Sequence, residues 1–339
     1  MFFLAIDIGG GTQDICYFNS NDIFENSIKL VLPTPSKVIA SDISSINDDL
    51  YISGNIIGGG SILSVIKEKI SSGKNVFISQ SAYATLRDDK DYLKNLDIVI
   101  VEDIINPNVI FNEFSYDTIS KVATDCYGSF KPDKILVAVQ DHGYIAGQRD
   151  RITRFDFLKD FLKNGLKNAF FTEFSQIPDN FTRLKSIYNS INKKIPNVSI
   201  HISDTAVVGA IGASSVTDIR PIIVVDVGNC HTFAALIGDN DKVYSFFEHH
   251  THLLNKDTLI KLLKDLSSSS ISNEEIFNND GHGAYIYEKI NANDCPILVT
   301  GPNRQKFLEE KDNIIFSHPK GDTMMAGPIG LLIQAGVKL

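Results

Sequence analysis

Ala5-Ile6-Asp7-Ile8-Gly9-Gly10-Gly11-Thr12-Gln13-Asp14 and, in the second half of the chain, Val224-Val225-Asp226-Val227-Gly228-Asn229-Cys230-His231-Thr232 follow one pattern. Each is an apolar run that ends near an Asp, turns on Gly and returns with a Thr. Short apolar runs of this kind read as buried strands, and the glycines read as hairpin turns. Glycine lets backbone N–H groups come close to phosphate oxygens, and Thr hydroxyls add donors. A carboxylate beside phosphates is repulsive unless a cation stands between, so Asp7 and Asp226 imply Mg2+, held through water. Two such hairpins facing each other would grip a polyphosphate tail from both sides. The pattern is not a P-loop, because no G-x-x-x-x-G-K-[ST] occurs. It is not a dinucleotide fingerprint either, because no helix opens directly after Gly11.

Outward from these hairpins, strand–helix alternation fills the chain. Strands are expected at Tyr51–Ile57, Val76–Ser79, Leu96–Val101, Ile135–Val139, Val198–Ile202, Phe233–Ile237, Lys242–Phe247 and Pro296–Thr300. Helices are expected at 61–70, 151–164, 174–189, 205–214, 256–266 and 323–334, with Asp204-Thr205 capping one and Ser272 with Glu275 forming a capping box for another. The order gives an α/β protein of two lobes, residues 1–214 and 215–339, each carrying one hairpin. No repeat of 20–50 residues is visible.

Composition removes other classes. The 32 Lys and Arg against 41 Asp and Glu leave a net charge of −9, which argues against a nucleic-acid binder or an anionic-membrane binder. No apolar run reaches the roughly 18–20 residues of a membrane span. The opening MFFLAIDIGGGTQ lacks a basic n-region and meets Asp7 at once, so no signal peptide is expected, and a cytoplasmic protein with reduced thiols is. Cys16, Cys126, Cys230 and Cys295 are widely separated, which leaves no local ligand set for a cysteine zinc site or a cluster-binding loop.

The two hairpins resemble the phosphate-1 (Asp7–Thr12) and phosphate-2 (Asp226–Thr232) motifs of the superfamily that holds actin, the 70-kilodalton chaperones and the sugar kinases. Val299-Thr300-Gly301-Pro302 stands where that superfamily has its adenosine motif, with Pro302 in place of a second Gly. Asp322–Gly330 resembles its last connecting helix, returning to the lobe interface. The resemblance implies two ribonuclease-H-like lobes around a central nucleotide cleft, with ATP and Mg2+ as cofactors. It implies that Gly9, Gly10, Gly11, Thr12, Gln13, Asp226, Gly228, Asn229, His231, Thr232, Gly301, Pro302 and Asn303 contact nucleotide, with Asp7 and Asp226 toward Mg2+. Ser203-Asp204-Thr205-Ala206 resembles the sugar-kinase Gly-Asp-x-x-Ala, whose Asp is the general base. Gln140-Asp141-His142-Gly143 resembles their Gln-x-His-Gly. Asp204, Asp141 and Asp7 are therefore the catalytic candidates, and Gln140, His142, Gly143, Gly59, Gly60 and His282 lie on the substrate side. Asp204 also reads as a plain helix N-cap, and Asp141 as a turn former. The set QDHG, EHHTH, DGHGA, TGPNR and DTMMAGPIG further resembles a prokaryotic family labelled as pyruvate formate-lyase activating enzymes. Those activators need a cluster-binding cysteine triplet, which this sequence lacks.

Glu248-His249-His250-Thr251-His252 holds three of the eight histidines, and Asp280-Gly281-His282-Gly283 adds one. On a strand His250 and His252 would share a face and His249 would oppose them. With Glu248 or His282 the pair is a candidate transition-metal site. Three functions follow as expectations. The first is phosphotransfer from ATP to a small hydroxyl substrate. The second is an ATPase switch or activator acting on a protein client. The third is a metal-dependent hydrolase using the EHHTH segment.

Overall fold

β1 (Phe2–Ile8) and β2 (Thr12–Asn19) pair antiparallel with Asp7 opposite Asp14, and Gly9–Gly11 make the turn. The computed structural model describes residues 1–310 and 313–339. After β3 (Ile28–Pro33) the chain leaves the first sheet for an insertion: α1 (Pro35–Ser45), β4 (Leu50–Gly54), α2 (Ile62–Ser71), β5 (Val76–Ser79), α3 (Lys90–Lys94), β6 (Ile98–Val101) and β7 (Val109–Phe111). These four strands form an all-parallel sheet in the order β6-β5-β4-β7, with its own core around Ile52, Ile66, Ile78 and Phe111. The strand expectations at Tyr51–Ile57, Val76–Ser79 and Leu96–Val101 thus belong to a separate sheet. The chain returns through α4 (Tyr116–Tyr127), β8 (Lys134–Val139), α5 (Asp150–Leu162), α6 (Thr182–Lys194) and β9 (Ser199–Ser203). β8 lies parallel to β1 and β9 parallel to β8, giving the order β3-β2-β1-β8-β9. The apolar run of β8 is buried on both faces, as a central parallel strand requires.

α7 (Thr205–Ser214) leads to β10 (Ile222–Val227), β11 (His231–Ile237), β12 (Val243–His250), α8 (Lys256–Ser267), α9 (Asn273–Asn278), β13 (Gly283–Ile286), β14 (Ile297–Thr300), α10 (Arg304–Phe307), β15 (Ile314–Phe316) and α11 (Ala326–Gln334). The six-stranded sheet runs β13-β12-β11-β10-β14-β15, antiparallel from β13 to β10 and parallel from β10 to β15. It repeats the first sheet, with a meander on one side of the hairpin strand and parallel strands on the other. The protein is therefore α/β, with two ribonuclease-H-like lobes around a cleft.

Two helices cross between the lobes. α7 buries Val207, Ala210 and Ile211 against Val224 and Phe233, while α11 buries Ile329, Leu331 and Leu332 against Ala5, Leu136 and Ala138. Their backbones touch at glycines. A Cβ on Gly212 would fall 1.8 Å from the Ala326 carbonyl oxygen, and one on Gly330 would fall 1.9 Å from that of Val208.

Two helix expectations change. In place of 174–189 there is a 3-10 turn at Phe174–Gln176, and the helix begins at Thr182. Pro178 donates no N–H and pushes Ile177 into extended backbone. The expected helix 323–334 opens as a 3-10 turn, Thr323–Met325, capped by the Asp322 side chain, before α11. The strand expected at Lys242–Phe247 runs on to His250 and so carries Glu248, His249 and His250. Among the described residues no helix is long and apolar enough to cross a membrane.

Candidate functional site

The two hairpins meet across the cleft. Asp7, Gly9, Gly10, Thr12 and Asp14 line one side, and Asp226, Gly228, Asn229, Cys230 and His231 line the other, with Gly301 and Pro302 at the edge. Gly9 N–H donates to Thr12 O at 2.9 Å and Gly228 N–H to His231 O at 3.0 Å, so both turns close in the same way. The approach is close: a Cβ on Gly10 would lie 2.4 Å from Cys230 Sγ, and one on Gly11 would lie 2.1 Å from Asn229 Nδ2. The space between them is about 100 Å³. Sites for small molecules run to roughly 300–1,000 Å³, so the two hairpins stand closed against each other here.

Three carboxylates, Asp14 buried and Asp7 and Asp226 half-buried, stand at this meeting point without a cationic partner among the described residues. Asp7 Oδ1 and Asp14 Oδ1 have no hydrogen-bond partner. Burial, reinforced by Asp14, Asp226 and Asp204, holds the Asp7 carboxyl well above the usual range. Burial pushes Asp14 up to about 7, against a hydrogen bond with Thr12, and pushes Asp226 up to about 6. Glycines on the crossing helices make room for these groups: a Cβ on Gly327 would lie 2.0 Å from Asp7 Oδ2, and one on Gly209 would lie 2.8 Å from Asp226 Oδ2.

The other acids of the cleft are satisfied. Arg154 of α5 is fully buried and binds Asp204 through Nη1 and, at 3.0 Å, Nη2. The same guanidinium reaches Glu248 at 2.9 Å through Nη2 and 3.2 Å through Nε. Asp204 also accepts the Ala206 N–H at 3.0 Å as the N-cap of α7. Asp141 Oδ1 accepts the Gly143 N–H at 2.9 Å, and its Oδ2 accepts the Arg183 and Leu184 N–H groups at 2.9 and 3.0 Å. Arg183 in turn binds Glu113. Asp204 and Asp141, the two base candidates, thus have both oxygens engaged, whereas Asp7 keeps one free.

The remaining expected residues fall on both sides of the cleft wall. Gln140 lines the cleft and donates to Glu248 Oε1 at 3.3 Å. Asn303 donates to Gly228 O at 3.0 Å and to Val227 O at 3.1 Å, which stitches the Thr300–Asn303 loop to the second hairpin. Gln13 differs from expectation: its side chain donates to Pro33 O and accepts from Ser115, a tether within the first lobe. Thr232 is fully buried and pairs with the Thr251 hydroxyl, which donates to Gly228 O, so it braces the turn from behind. Gly59 and Gly60 lie against Thr85 and Ser36 at the insertion, while Gly58 packs on Arg183. Gly143 has φ +67° and would bring a Cβ to 3.0 Å from Phe181.

The histidines regroup. His249 is buried with Nδ1 3.1 Å from His250 O, and His252 is exposed beyond the strand end, so the expected cluster of His249, His250 and His252 does not form. The His250 and His252 rings remain neighbours across the turn after β12, 5.6 Å apart. Instead His142, His231 and His282 converge, one nitrogen of each within 4.8 Å of the others. His282 Nδ1 lies 2.8 Å from Glu248 Oε2, at ion-pair distance but off hydrogen-bond alignment.

Arg154, Asp14 and Glu113 were not singled out from sequence. Asp14 follows from hairpin register, because it faces Asp7 directly. Arg154 stands one helical turn before Leu158 and two before Leu162, on the buried stripe of α5. The four cysteines are free and sit on separate elements: Cys16 in β2, Cys126 in α4, Cys230 in the second hairpin and Cys295 before β14.

A family described as "Putative pyruvate format-lyase activating enzyme (DUF1786)" matches residues 57–306. No curated protein matches the chain. Among solved structures it is similar to the ethanolamine utilization protein EutJ from Carboxydothermus hydrogenoformans, at 11% identity over 98% of this chain and 89% of that one, with a TM-score of 0.35. It is also similar to the activator of 2-hydroxyisocaproyl-CoA dehydratase from Clostridium difficile with bound ADPNP, at 9% identity over 100% and 99% of the two chains, with a TM-score of 0.33. A Bacteroides thetaiotaomicron protein with an actin-like ATPase fold gives 9% identity, 97% and 95% coverage and a TM-score of 0.38. At these identities the likeness concerns the fold alone.

Proposed function

The chain belongs to the family that matches its residues 57–306, and we propose that it binds a Mg·nucleoside triphosphate, ATP, between its two hairpins and transfers the terminal phosphoryl group to a small hydroxyl substrate. The carrying observation is the convergence of the carboxylates Asp7, Asp14 and Asp226 at the point where two matching glycine turns meet, with Asp7 Oδ1 and Asp14 Oδ1 enclosed without a hydrogen-bond partner. Buried charge without a partner is costly. A hard divalent cation with oxygen ligands fits this donor set, directly or through water. When bound, Mg2+ neutralises charge on the phosphates.

The residues of the chain have distinct parts in this scheme. Backbone N–H groups of Gly10, Gly11, Asn229 and Cys230, not used in the turn bonds, face phosphate oxygens once the hairpins separate. Asp7 is the carboxylate free to hold a water or take a proton. Asp204, fixed by Arg154 and its own helix, is a positioning residue, and Asp141 fixes the Gln140–Gly143 loop to the start of α6. Pro302 lines the edge of the same cleft. The cysteine placement gives the radical chemistry of the family label no ligand set.

A second reading, an ATPase switch acting on a protein client, is favoured by one observation: the hairpins touch, so nucleotide must separate the lobes to enter. Thermal unfolding and calorimetry with Mg·ATP and Mg·ADP test both readings. A nucleotide-dependent shift that needs Mg2+ is expected, and no shift with any nucleotide overturns both. ATP consumption that requires a hydroxyl compound supports transfer, and consumption without one supports the switch.

A further inference from the structure

We propose that His142, His231 and His282 bind one divalent transition-metal ion, and that this ion ties the two lobes together. One nitrogen from each ring lies within 4.8 Å of the others. In a tetrahedral site with metal–nitrogen bonds of about 2.0–2.1 Å the ligand atoms stand roughly 3.3 Å apart, which small ring rotations reach. Both ring nitrogens of His231 and Nε2 of His282 are buried without a hydrogen-bond partner. A buried polar atom left bare needs an explanation, and an ion supplies one.

The surroundings support a metal centre. Glu248 Oε2 lies 2.8 Å from His282 Nδ1 and is held in place by Arg154, as a carboxylate that orients a ligating imidazole would be. The three rings also stand close together, with centroids 5.4 Å apart for His142 and His231, 5.3 Å for His142 and His282, and 4.9 Å for His231 and His282. The His250 ring, 4.9 Å from that of His231 and 4.7 Å from that of His282, can complete the set or leave a position for solvent or an anion. Three neutral imidazoles suit Zn2+, Fe2+ or Ni2+ rather than Mg2+. The ion is thus distinct from the one at Asp7, Asp14 and Asp226.

The three ligands come from different places. His142 follows β8 in the first lobe, His231 opens β11 at the second hairpin, and His282 precedes β13. An ion bound by all three spans the cleft, and His231 itself lines it.

The test uses the full-length chain without a polyhistidine tag, stripped with chelator and titrated with Co2+ and then Zn2+. One equivalent of Co2+ is expected, with visible ligand-field bands that Zn2+ displaces. His142→Ala, His231→Ala and His282→Ala should each weaken uptake by more than about tenfold, and His252→Ala should not. Circular dichroism establishes that each variant is folded, with His→Gln substitutions replacing any that is not. No stoichiometric uptake by the wild type, or equal uptake by the three variants, overturns the site. Zn2+ should also raise the Tm of the wild type more than that of His142→Ala. An equal rise places the ion on the second lobe alone and overturns the tie. None of these readouts needs nucleotide, so they stand or fall apart from phosphotransfer.

Discussion

The cleft holds two populations of buried acid. Asp204, Glu248, Asp141 and Glu113 are matched by Arg154, Arg183 and backbone N–H groups. Asp7, Asp14 and Asp226, on the hairpins, have no protein cation among the described residues, and two of them keep an oxygen with no partner. The first population is structure, because each carboxylate is fixed by what it already binds. The second is reactive, because its charge balance must come from a ligand. Asp204 and Asp141, the residues in sequence stretches like those of a catalytic Asp, belong to the matched population.

Arg154→Met should break the matched population most severely. It strands Asp204 and Glu248 in the interior and should cost about 3–5 kcal/mol in denaturant unfolding. A loss below about 1 kcal/mol would show that those acids do not depend on it. Asp7→Asn should act in the opposite sense. The ligand-free protein should melt higher, while Mg·ATP affinity falls by an order of magnitude or more in calorimetry. If Asp7→Asn instead lowers the Tm, the carboxylate has a partner within the protein and the division fails.

Acidity sharpens the contrast further. A carboxyl whose folded pKa is raised contributes stability below its unfolded value near 4 and loses it as pH rises through the folded value. For Asp226 and Asp14 that loss extends to about 6 and about 7. Buried histidines act oppositely: His231 and His250, lowered to about 3 and 4, contribute above about 6.5 and lose their contribution as pH falls through those values. Between pH 6.5 and 8 the unfolded histidines finish losing their protons, which raises stability, while Asp14 ionises and contributes a downward slope of its own worth about 1 kcal/mol. Asp14→Asn should flatten that slope, and a slope unchanged in the variant removes Asp14 as its source. Asp226→Asn, whose carboxyl is raised less than that of Asp14, should change ligand-free stability least, and an effect larger than that of Asp14→Asn would reverse their order.

The hairpins were legible because strand, Asp and Gly sit next to one another in sequence, and both lobes follow from them. The insertion sheet was not, since its strands are short and nothing local says which sheet a strand joins. The hairpin carboxylates were legible for the same local reason, and Asp14 needed only the register. The matched acids were not, because Arg154 meets Asp204 and Glu248 across separations of 50 and 94 residues. His142, His231 and His282 come from three separate places in the chain, two loops and the first residue of β11. Of the EHHTH histidines, His250 lies beside this group, its ring 4.7 Å from that of His282.

The crossing of α7 and α11 carries a mechanical consequence. At Gly212 and Gly330 one helix backbone rests on the other with no side chain between. Such a contact has almost nothing to compress and little to catch on, so it can swivel but cannot widen without losing its packing. The lobes should therefore open like scissors about this rivet. Gly209 and Gly327, one helical turn from the pivot, sit against Asp226 and Asp7. The carboxylates lie close to the axis and should travel least, while the mouth of the cleft swings farthest.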